Sequence, residues 1–193
     1  IEEIQKKESS QYKISKETID MINIKCHDFR HQIREFGDNQ KIDVEAITNL
    51  NKLIRIYDST YHTENEALNV ILNEKTLLCN NKNIRFTCIV DGNALNFIEN
   101  EDIYSLFGNL IDNSIEAVSE LNDNEKIISL KIKQVGNIVS ISIKNGYKGT
   151  IKMENNLPIS KKGDNIHHGF GMKSIKMVCE KYNGSLKLNI INN

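Results

Sequence analysis

The sequence predicts an α+β protein, in which an N-terminal helical hairpin is followed by a sandwich of one mixed sheet and about three helices. Three observations predict this class. Apolar residues recur at a 3–4 spacing through roughly the first 60 positions. Strand-like runs rich in Ile and Val come only later, where they are interleaved with helical segments. The 193 residues, 39% of them apolar, suffice for a packed core in one or two domains.

The first 61 residues are predicted to form a helical hairpin that pairs with a second copy. Two stretches of apolar residues, separated at Gly37, occupy the a and d positions of a heptad pattern. The first stretch contains Tyr12, Ser15, Ile19, Ile22, Cys26, Phe29, Ile33 and Phe36, and the second contains Ile47, Leu50, Ile54, Tyr57 and Tyr61. A lone hairpin buries too little apolar surface, whereas two hairpins bury both stretches in a four-helix bundle. We therefore expect a homodimer, with residues 1–61 as its dimerisation domain.

Residues 62–193 are predicted to form a second domain, in which helical and strand-like patterns alternate. We predict helices at 65–78, 101–121 and 172–182, strands at 84–90, 127–135, 138–144 and 185–191, and a polar loop at 145–169. Gly136 and Asn137, between two of the strands, are typical of a hairpin turn. Asn183 and Gly184 predict another turn after the last helix.

Composition excludes several classes of protein. Lys and Arg number 25 against 26 Asp and Glu, so the basic excess of a nucleic-acid-binding protein is absent. The four cysteines lack the spacing of a zinc site or a disulfide framework. No apolar run reaches the roughly 18 residues of a membrane span. Because the sequence starts without Met and within a helical pattern, we expect it to be the cytosolic part of a longer protein.

The predicted helix at 101–121 carries a polar arc about 100° wide beside its apolar arc. The polar arc contains Asp102, Ser105, Asn109, Asp112, Asn113 and Glu116. Amides one turn apart, such as Asn109 and Asn113, can hold a hard cation through oxygen together with neighbouring carboxylates. Mg²⁺ sites often combine one or two protein ligands with substrate phosphates. The same arc also fits an ordinary solvated helix face.

Two glycine-bearing segments are further candidates for a binding site. In residues 168–172 (His-Gly-Phe-Gly-Met), directly before a helix, the glycines allow the backbone to approach a phosphate at a helix N-terminus. In residues 144–149 (Lys-Asn-Gly-Tyr-Lys-Gly), at a strand end, the amide could bind an adenine edge and the glycines leave room for a flat ring. Each segment also fits a simple turn.

The first predicted helix carries two histidines one turn apart, His27 and His31. Asp28 follows His27, and an acidic neighbour can orient the imidazole by taking its Nδ1 proton while Nε2 attacks phosphorus. Gln32 follows His31, so His27 is the better candidate for an acceptor. A zinc pair and an ordinary helix surface are the alternatives, and no third metal ligand follows at a suitable spacing.

In this order, the histidine, the asparagine-bearing helix, the strand-end turn and the Gly-x-Gly segment resemble a sensor histidine kinase. The catalytic half is similar to the GHKL ATPase superfamily of gyrase, chaperone, histidine-kinase and mismatch-repair ATPases. Three segments, 61–65 (Tyr-His-Thr-Glu-Asn), 109–117 (Asn-Leu-Ile-Asp-Asn-Ser-Ile-Glu-Ala) and 168–175 (His-Gly-Phe-Gly-Met-Lys-Ser-Ile), resemble the quorum-sensing kinases of the accessory gene regulator C type. The resemblance covers nearly the whole chain, and its asparagine-helix motif is the most specific.

The resemblance implies the residues that bind ATP and Mg²⁺. They are Asn109, Asn113, Asn145, Gly146, Gly149, Lys161, Gly169 and Gly171. The first two would hold Mg²⁺ and the triphosphate, and the last two would line the phosphates. Asn145 would accept from the adenine amino group where many histidine kinases have an aspartate, a departure that we expect to weaken discrimination but not binding. Residues 150–167 would form a mobile lid that brings Lys161 or Lys162 near the nucleotide.

The function implied by the resemblance is ATP-dependent autophosphorylation of His27, followed by phosphotransfer to an aspartate of a response-regulator receiver domain. The segment would lie at the cytoplasmic face of the cell membrane, reaching the membrane only through a missing N-terminal sensor region. A competing interpretation is a phosphotransfer scaffold with a degenerate nucleotide-binding fold, which Asn145 favours and the intact Asn109 and Asn113 oppose. A third is a conformational-clamp ATPase or a kinase of an anti-sigma partner, but a hairpin that precedes the nucleotide fold favours the histidine kinase.

Overall fold

A computed structural model of the chain describes residues 10, 12–13, 15–17, 61–150, 153–154, 157–158 and 170–191. The helices are α1 (Glu66–Asn81), α2 (Asn100–Val118) and α3 (Phe170–Lys181), with short 3-10 turns at Asn93–Leu95 and Asp123–Glu125. The strands are β1 (Arg85–Ile89), β2 (Ile127–Val135), β3 (Ile138–Asn145), β4 (Met153–Glu154) and β5 (Leu157–Pro158). The α+β class is confirmed.

The sheet is mixed, as predicted, with β2 between a parallel partner and an antiparallel one. β1 runs parallel to β2, and β3 returns antiparallel through a tight turn at Gly136, whose φ of +61° lies in the left-handed region. Side chains alternate along β2, so that Ile128, Leu130 and Ile132 are buried while their neighbours face solvent. One face of the sheet is therefore core, and the other is exposed.

The helices cover the buried face of the sheet. α1 begins where the side chain of Asn65 accepts a hydrogen bond of 3.0 Å from the backbone N–H of Leu68, which caps the helix. Leu68 and Phe107, on α1 and α2, are fully buried in one apolar cluster with the inner residues of β2. α3 packs against α2 and contributes Ile175 to the same cluster. This packing fixes α2 between the sheet and α3.

Two predictions about the C-terminal part need correction. The segment 185–191, predicted as a strand, has no regular secondary structure. Its alternating apolar residues gave the period of a strand, but only Leu186 packs against the core, while Leu188 and Ile190 are exposed. A strand also needs a hydrogen-bonding neighbour, and this segment pairs with no described strand. The last helix starts two residues earlier than predicted, so that Gly171 belongs to its first turn.

The described N-terminal residues are helical and contact α1 and α2. Tyr12 is buried against Tyr104 of α2, with ring centroids 5.5 Å apart, and the hydroxyl groups of Ser15 and Tyr104 are 2.8 Å apart. Lys16 forms an ion pair with Glu66 at the start of α1. The rest of the predicted hairpin and its dimer lie outside the described residues. Among the described helices, none is long and apolar enough to cross a membrane.

Candidate functional site

The two asparagines predicted to bind a cation meet the start of α3. Asn109 and Asn113 lie one turn apart on α2, and Gly171 lies opposite them in the first turn of α3. A Cβ atom added to Gly171 would lie 3.0 Å from Asn109 Oδ1 and 3.7 Å from Asn113 Nδ2. Because Gly171 has no side chain, the first turn of α3 approaches both amides closely, and the structure thereby brings these three predicted site residues together.

Both amide groups are oriented by hydrogen bonds through their nitrogen atoms. Asn109 Nδ2 donates to the carbonyl oxygen of Ser105 at 2.8 Å, and Asn113 Nδ2 donates to the sulfur of Met172 at 3.4 Å. With the nitrogens held in this way, the oxygen atoms are the groups that can act as ligands. Amide oxygen is a donor type that suits Mg²⁺. The residues thus fit a magnesium ion that also binds substrate phosphates.

The start of α3 adds backbone donors to the same place. The first four N–H groups of a helix have no partner within it, and the helix dipole places partial positive charge there. The hydroxyl groups of Ser105 on α2 and Ser174 on α3 lie 3.0 Å apart, which holds the two helices together beside Gly171. Amide oxygens for a cation and backbone N–H groups for an anion therefore lie side by side, as a metal-bound phosphate requires.

Asp112 and Asp102, two carboxylates of the polar arc, are each engaged in an ion pair. Asp112 binds the amino group of Lys75 through both oxygens, at 2.8 and 2.9 Å, and Glu74 lies 3.3 Å from the same amino group. Burial opposes the charged form of Lys75, but Asp112 and then Glu74 outweigh it and raise the pKa of Lys75. The sequence predicted that neighbouring carboxylates help to hold the cation. Asp112 instead forms a structural ion pair with Lys75.

Asp102, at the other end of the arc, joins the beginning of α2 to the end of α3. Its Oδ2 atom accepts from Lys181 at 2.6 Å and from the hydroxyl of Tyr182 at 2.7 Å. Lys181 also binds Glu99 at 2.6 Å, and these two carboxylates raise its pKa. These contacts hold the end of α3 against the start of α2 and help to keep Gly171 next to Asn109. Within the ranges the structure describes, no group of three His, Cys, Asp or Glu could hold a metal.

The predicted adenine-binding turn lies beyond the C-terminal end of α2. Asn145, the last residue of β3, donates from Nδ2 to the carbonyl oxygen of Gly146 at 2.8 Å, which leaves Oδ1 as an acceptor. A Cβ atom at Gly146 would lie 2.9 Å from Cδ1 of Leu121, so a larger residue there would have to displace the tip of that side chain. Gly149 has a φ of +85°, where residues with side chains are strained. The turn therefore lies near Leu121, which follows α2, whereas Asn109 and Asn113 lie within the helix.

Four predicted site residues lie outside the described part of the chain. They are His27, Asp28, Lys161 and Gly169. Their placement relative to Asn109 and Gly171 stays a prediction from the sequence.

The composition of the site agrees with a comparison to known families. Residues 98–193 match the family model of the GHKL domain. The matched segment contains α2, β2, β3 and α3, and hence every described residue of the candidate site. It supports a GHKL-type ATPase, with the ATP binding of that family. α1 and β1 precede the matched segment but pack against it. No curated protein matches the chain.

Sequence reasoning missed two contributors near the site. Met172 orients Asn113 through its sulfur, although a methionine after Gly-x-Gly gives no sign of this contact. Lys75 was not singled out, but a lysine among the apolar residues of a predicted helix is a hint of a buried ion pair. Neither role is visible until α1 and α3 are placed against α2.

Proposed function

We propose that the chain is the cytoplasmic region of a sensor histidine kinase, in which the GHKL domain binds ATP with Mg²⁺ and phosphorylates His27. The observation that carries this proposal is the convergence of Asn109 and Asn113 with Gly171 between α2 and α3. Cation-binding oxygens beside a helix N-terminus suit a metal-bound triphosphate. The match of the same residues to the GHKL domain supports this reading.

The described residues divide the binding of the nucleotide between two places. Asn145 accepts from the adenine amino group through Oδ1, since its nitrogen is bound to Gly146. Asn109 and Asn113 hold Mg²⁺ through their amide oxygens, and the first turn of α3 donates N–H groups to phosphate. When bound, Mg²⁺ neutralises negative charge on the phosphate oxygens. Positioning and charge neutralisation are the main requirements of phosphoryl transfer.

The chemical step is transfer of the γ-phosphoryl group from ATP to Nε2 of His27. A bond forms between Nε2 and phosphorus while the bond between phosphorus and the β,γ-bridging oxygen breaks, and ADP leaves. Asp28 orients the imidazole through Nδ1, so that the lone pair of Nε2 points to phosphorus. The phosphoryl group then passes to an aspartate of a response-regulator receiver domain, as in two-component signalling.

The partners and the location follow from the same proposal. Residues 1–61 pair with a second copy and present His27, as the heptad pattern predicts. A sensor region that precedes them would tether the chain to the cytoplasmic face of the cell membrane and supply the stimulus. The resemblance to the accessory gene regulator C type makes a quorum signal the candidate stimulus.

The test is incubation with γ-labelled ATP and Mg²⁺, comparing the wild type with His27→Gln and the matched control His31→Gln. Acid-labile label that persists in His31→Gln and disappears in His27→Gln is expected. Label retained in His27→Gln would refute the acceptor assignment. Tight ATP binding without label in any variant would contradict kinase activity of this chain. Absence of ATP binding would favour the phosphotransfer scaffold.

A further inference from the structure

The exposed face of the sheet carries positive charge without compensation. β1, β2 and β3 together contain no Asp or Glu, whereas four cations, Arg85, Lys131, Lys133 and Lys144, occur in them. All four side chains are on the face opposite the helices, since their neighbours along the strands point into the core. Among the described residues, none of the four forms an ion pair. The whole chain has a net charge of −1, so this patch is a local feature.

Large apolar side chains lie exposed on the same face. Ile138 is 72% exposed and Val135 57%, and the two are register partners at the tip of the hairpin between β2 and β3. Ile89, 69% exposed, is the register partner of Lys131. Apolar groups and cations are therefore interleaved on one surface, which we call the outer sheet face. Solvent-exposed apolar groups grouped in this way indicate an interaction surface.

The composition of the outer sheet face favours lipid over protein as its partner. Protein interfaces are enriched in aromatic residues and arginine and depleted in lysine and serine. This face carries three lysines and three serines against one arginine, Arg85, and it has no aromatic side chain; the serines are Ser129, Ser140 and Ser142. Lysines near an anionic bilayer each contribute to binding, and a flat arrangement lets several reach headgroups together. Lys131 and Lys133, two residues apart on one strand, are separated by about 7 Å along it.

We infer that the outer sheet face rests on an anionic lipid bilayer, with the lysines at headgroup phosphates and the Val135–Ile138 tip in the headgroup region. α2 and α3 lie on the opposite side of the sheet, so the nucleotide site stays accessible in this orientation. This inference does not depend on the proposed kinase activity, because the residues that its test substitutes, Lys131, Lys133 and Ile138, lie outside the candidate site.

The test is co-sedimentation of the 193-residue chain with vesicles. Vesicles of phosphatidylglycerol mixed with phosphatidylcholine should bind the protein, and vesicles of phosphatidylcholine alone should bind it far less. Raising the salt from about 0.05 to 0.5 M should weaken binding, because charges at a surface are then screened. Equal binding to both vesicle types would overturn the assignment of the lysines.

Matched variants locate the surface. Lys131→Gln with Lys133→Gln should lower the partition coefficient by about fivefold per lysine, on the order of 30-fold in total. Lys82→Gln with Lys176→Gln removes the same charge from exposed sites directly after α1 and on α3, and should change binding much less. An equal loss in both double variants would mean that only net charge matters and would refute the proposed face.

Two further results complete the test. Ile138→Ser should reduce the binding that remains at about 0.5 M salt, where the apolar tip contributes most. Retention on immobilised polyglutamate without any vesicle binding would overturn the bilayer assignment and indicate an acidic protein as the partner. Unchanged circular dichroism of every variant, whose substituted side chains are exposed, shows that a loss of binding is not a loss of fold.

Discussion

Gly171→Ala separates the stability of the domain from its capacity to bind a nucleotide. The added methyl carbon would lie 3.0 Å from Asn109 Oδ1, closer than carbon and oxygen normally approach. The amide can relieve this contact only by shifting by a few tenths of an ångström or by rotating. Either movement displaces the oxygen that is proposed to hold Mg²⁺. The backbone need not be strained, because Gly171 is in the first turn of α3 and has no positive φ.

Opposite effects on stability and affinity are expected. Alanine is favoured over glycine within a helix by up to about 1 kcal/mol, so the free energy of unfolding should stay the same or rise. An interaction with a charged group contributes about 1.5–3 kcal/mol, so loss of the Asn109 contact should weaken Mg²⁺-dependent ATP binding by about 10- to 150-fold. Thermal unfolding and isothermal calorimetry measure the two quantities on the same sample.

Gly108→Ala is the matched control. Gly108 lies on α2 next to Asn109, and a Cβ atom there would meet only Ile71 Cδ1 at an ordinary 3.7 Å. This variant should gain helix stability and keep its affinity for ATP. The reasoning would be refuted if Gly171→Ala bound ATP as tightly as the wild type, or if Gly108→Ala lost affinity equally.

Three other predictions concern packing, pH and assembly. Tyr104→Phe removes a hydroxyl group that donates to Glu74 at 2.6 Å and lies 2.8 Å from the hydroxyl of Ser15. Urea denaturation should show that the free energy of unfolding falls by about 1–2 kcal/mol, and no fall would mean that water replaces the hydroxyl group. Burial raises the pKa of Cys88 from its ordinary 9.0 to about 11, so between these pH values the native state keeps a proton that the unfolded chain releases. The free energy of unfolding should therefore fall from pH 9 towards pH 11, and a constant urea midpoint would contradict this. Ile22→Lys places an unpaired charge in the predicted dimer interface and should halve the mass seen by light scattering, and a persistent dimer would disprove the four-helix bundle.

The sequence predicted most elements of the second domain, because periodicity and turn residues are local. β2 was predicted with its observed bounds, the turn lies at Gly136 as predicted, and the helix predicted at 65–78 is found as α1, which extends three residues further. The strand predicted at 185–191 was wrong because strand formation is not determined by local sequence alone. Alternation records which side chains are apolar, whereas a strand also depends on a neighbouring strand with free hydrogen-bonding groups.

The residue types of the candidate site could be predicted from the sequence, but the contacts that position them could not. Asn109, Asn113 and Gly171 follow from a motif, and their convergence follows from α3 packing on α2. Whether a carboxylate is a ligand or a structural partner depends on the helix that packs against it. Asp112 is a structural partner rather than a ligand because it binds Lys75, which lies 37 residues earlier in the chain on α1. Such long-range pairing has no counterpart in local sequence patterns.

The most direct test of the nucleotide site is calorimetry of ATP binding to Asn113→Ala, with and without Mg²⁺. Asn113 is exposed, and among the described residues its side chain makes one hydrogen bond, to the sulfur of Met172, so its loss should leave the melting temperature unchanged. Asn80→Ala, at an exposed position of α1, is the matched control and should bind as the wild type does. Loss of Mg²⁺-dependent binding in Asn113→Ala alone is the predicted result. Unchanged affinity in Asn113→Ala would contradict a metal and phosphate site between α2 and α3.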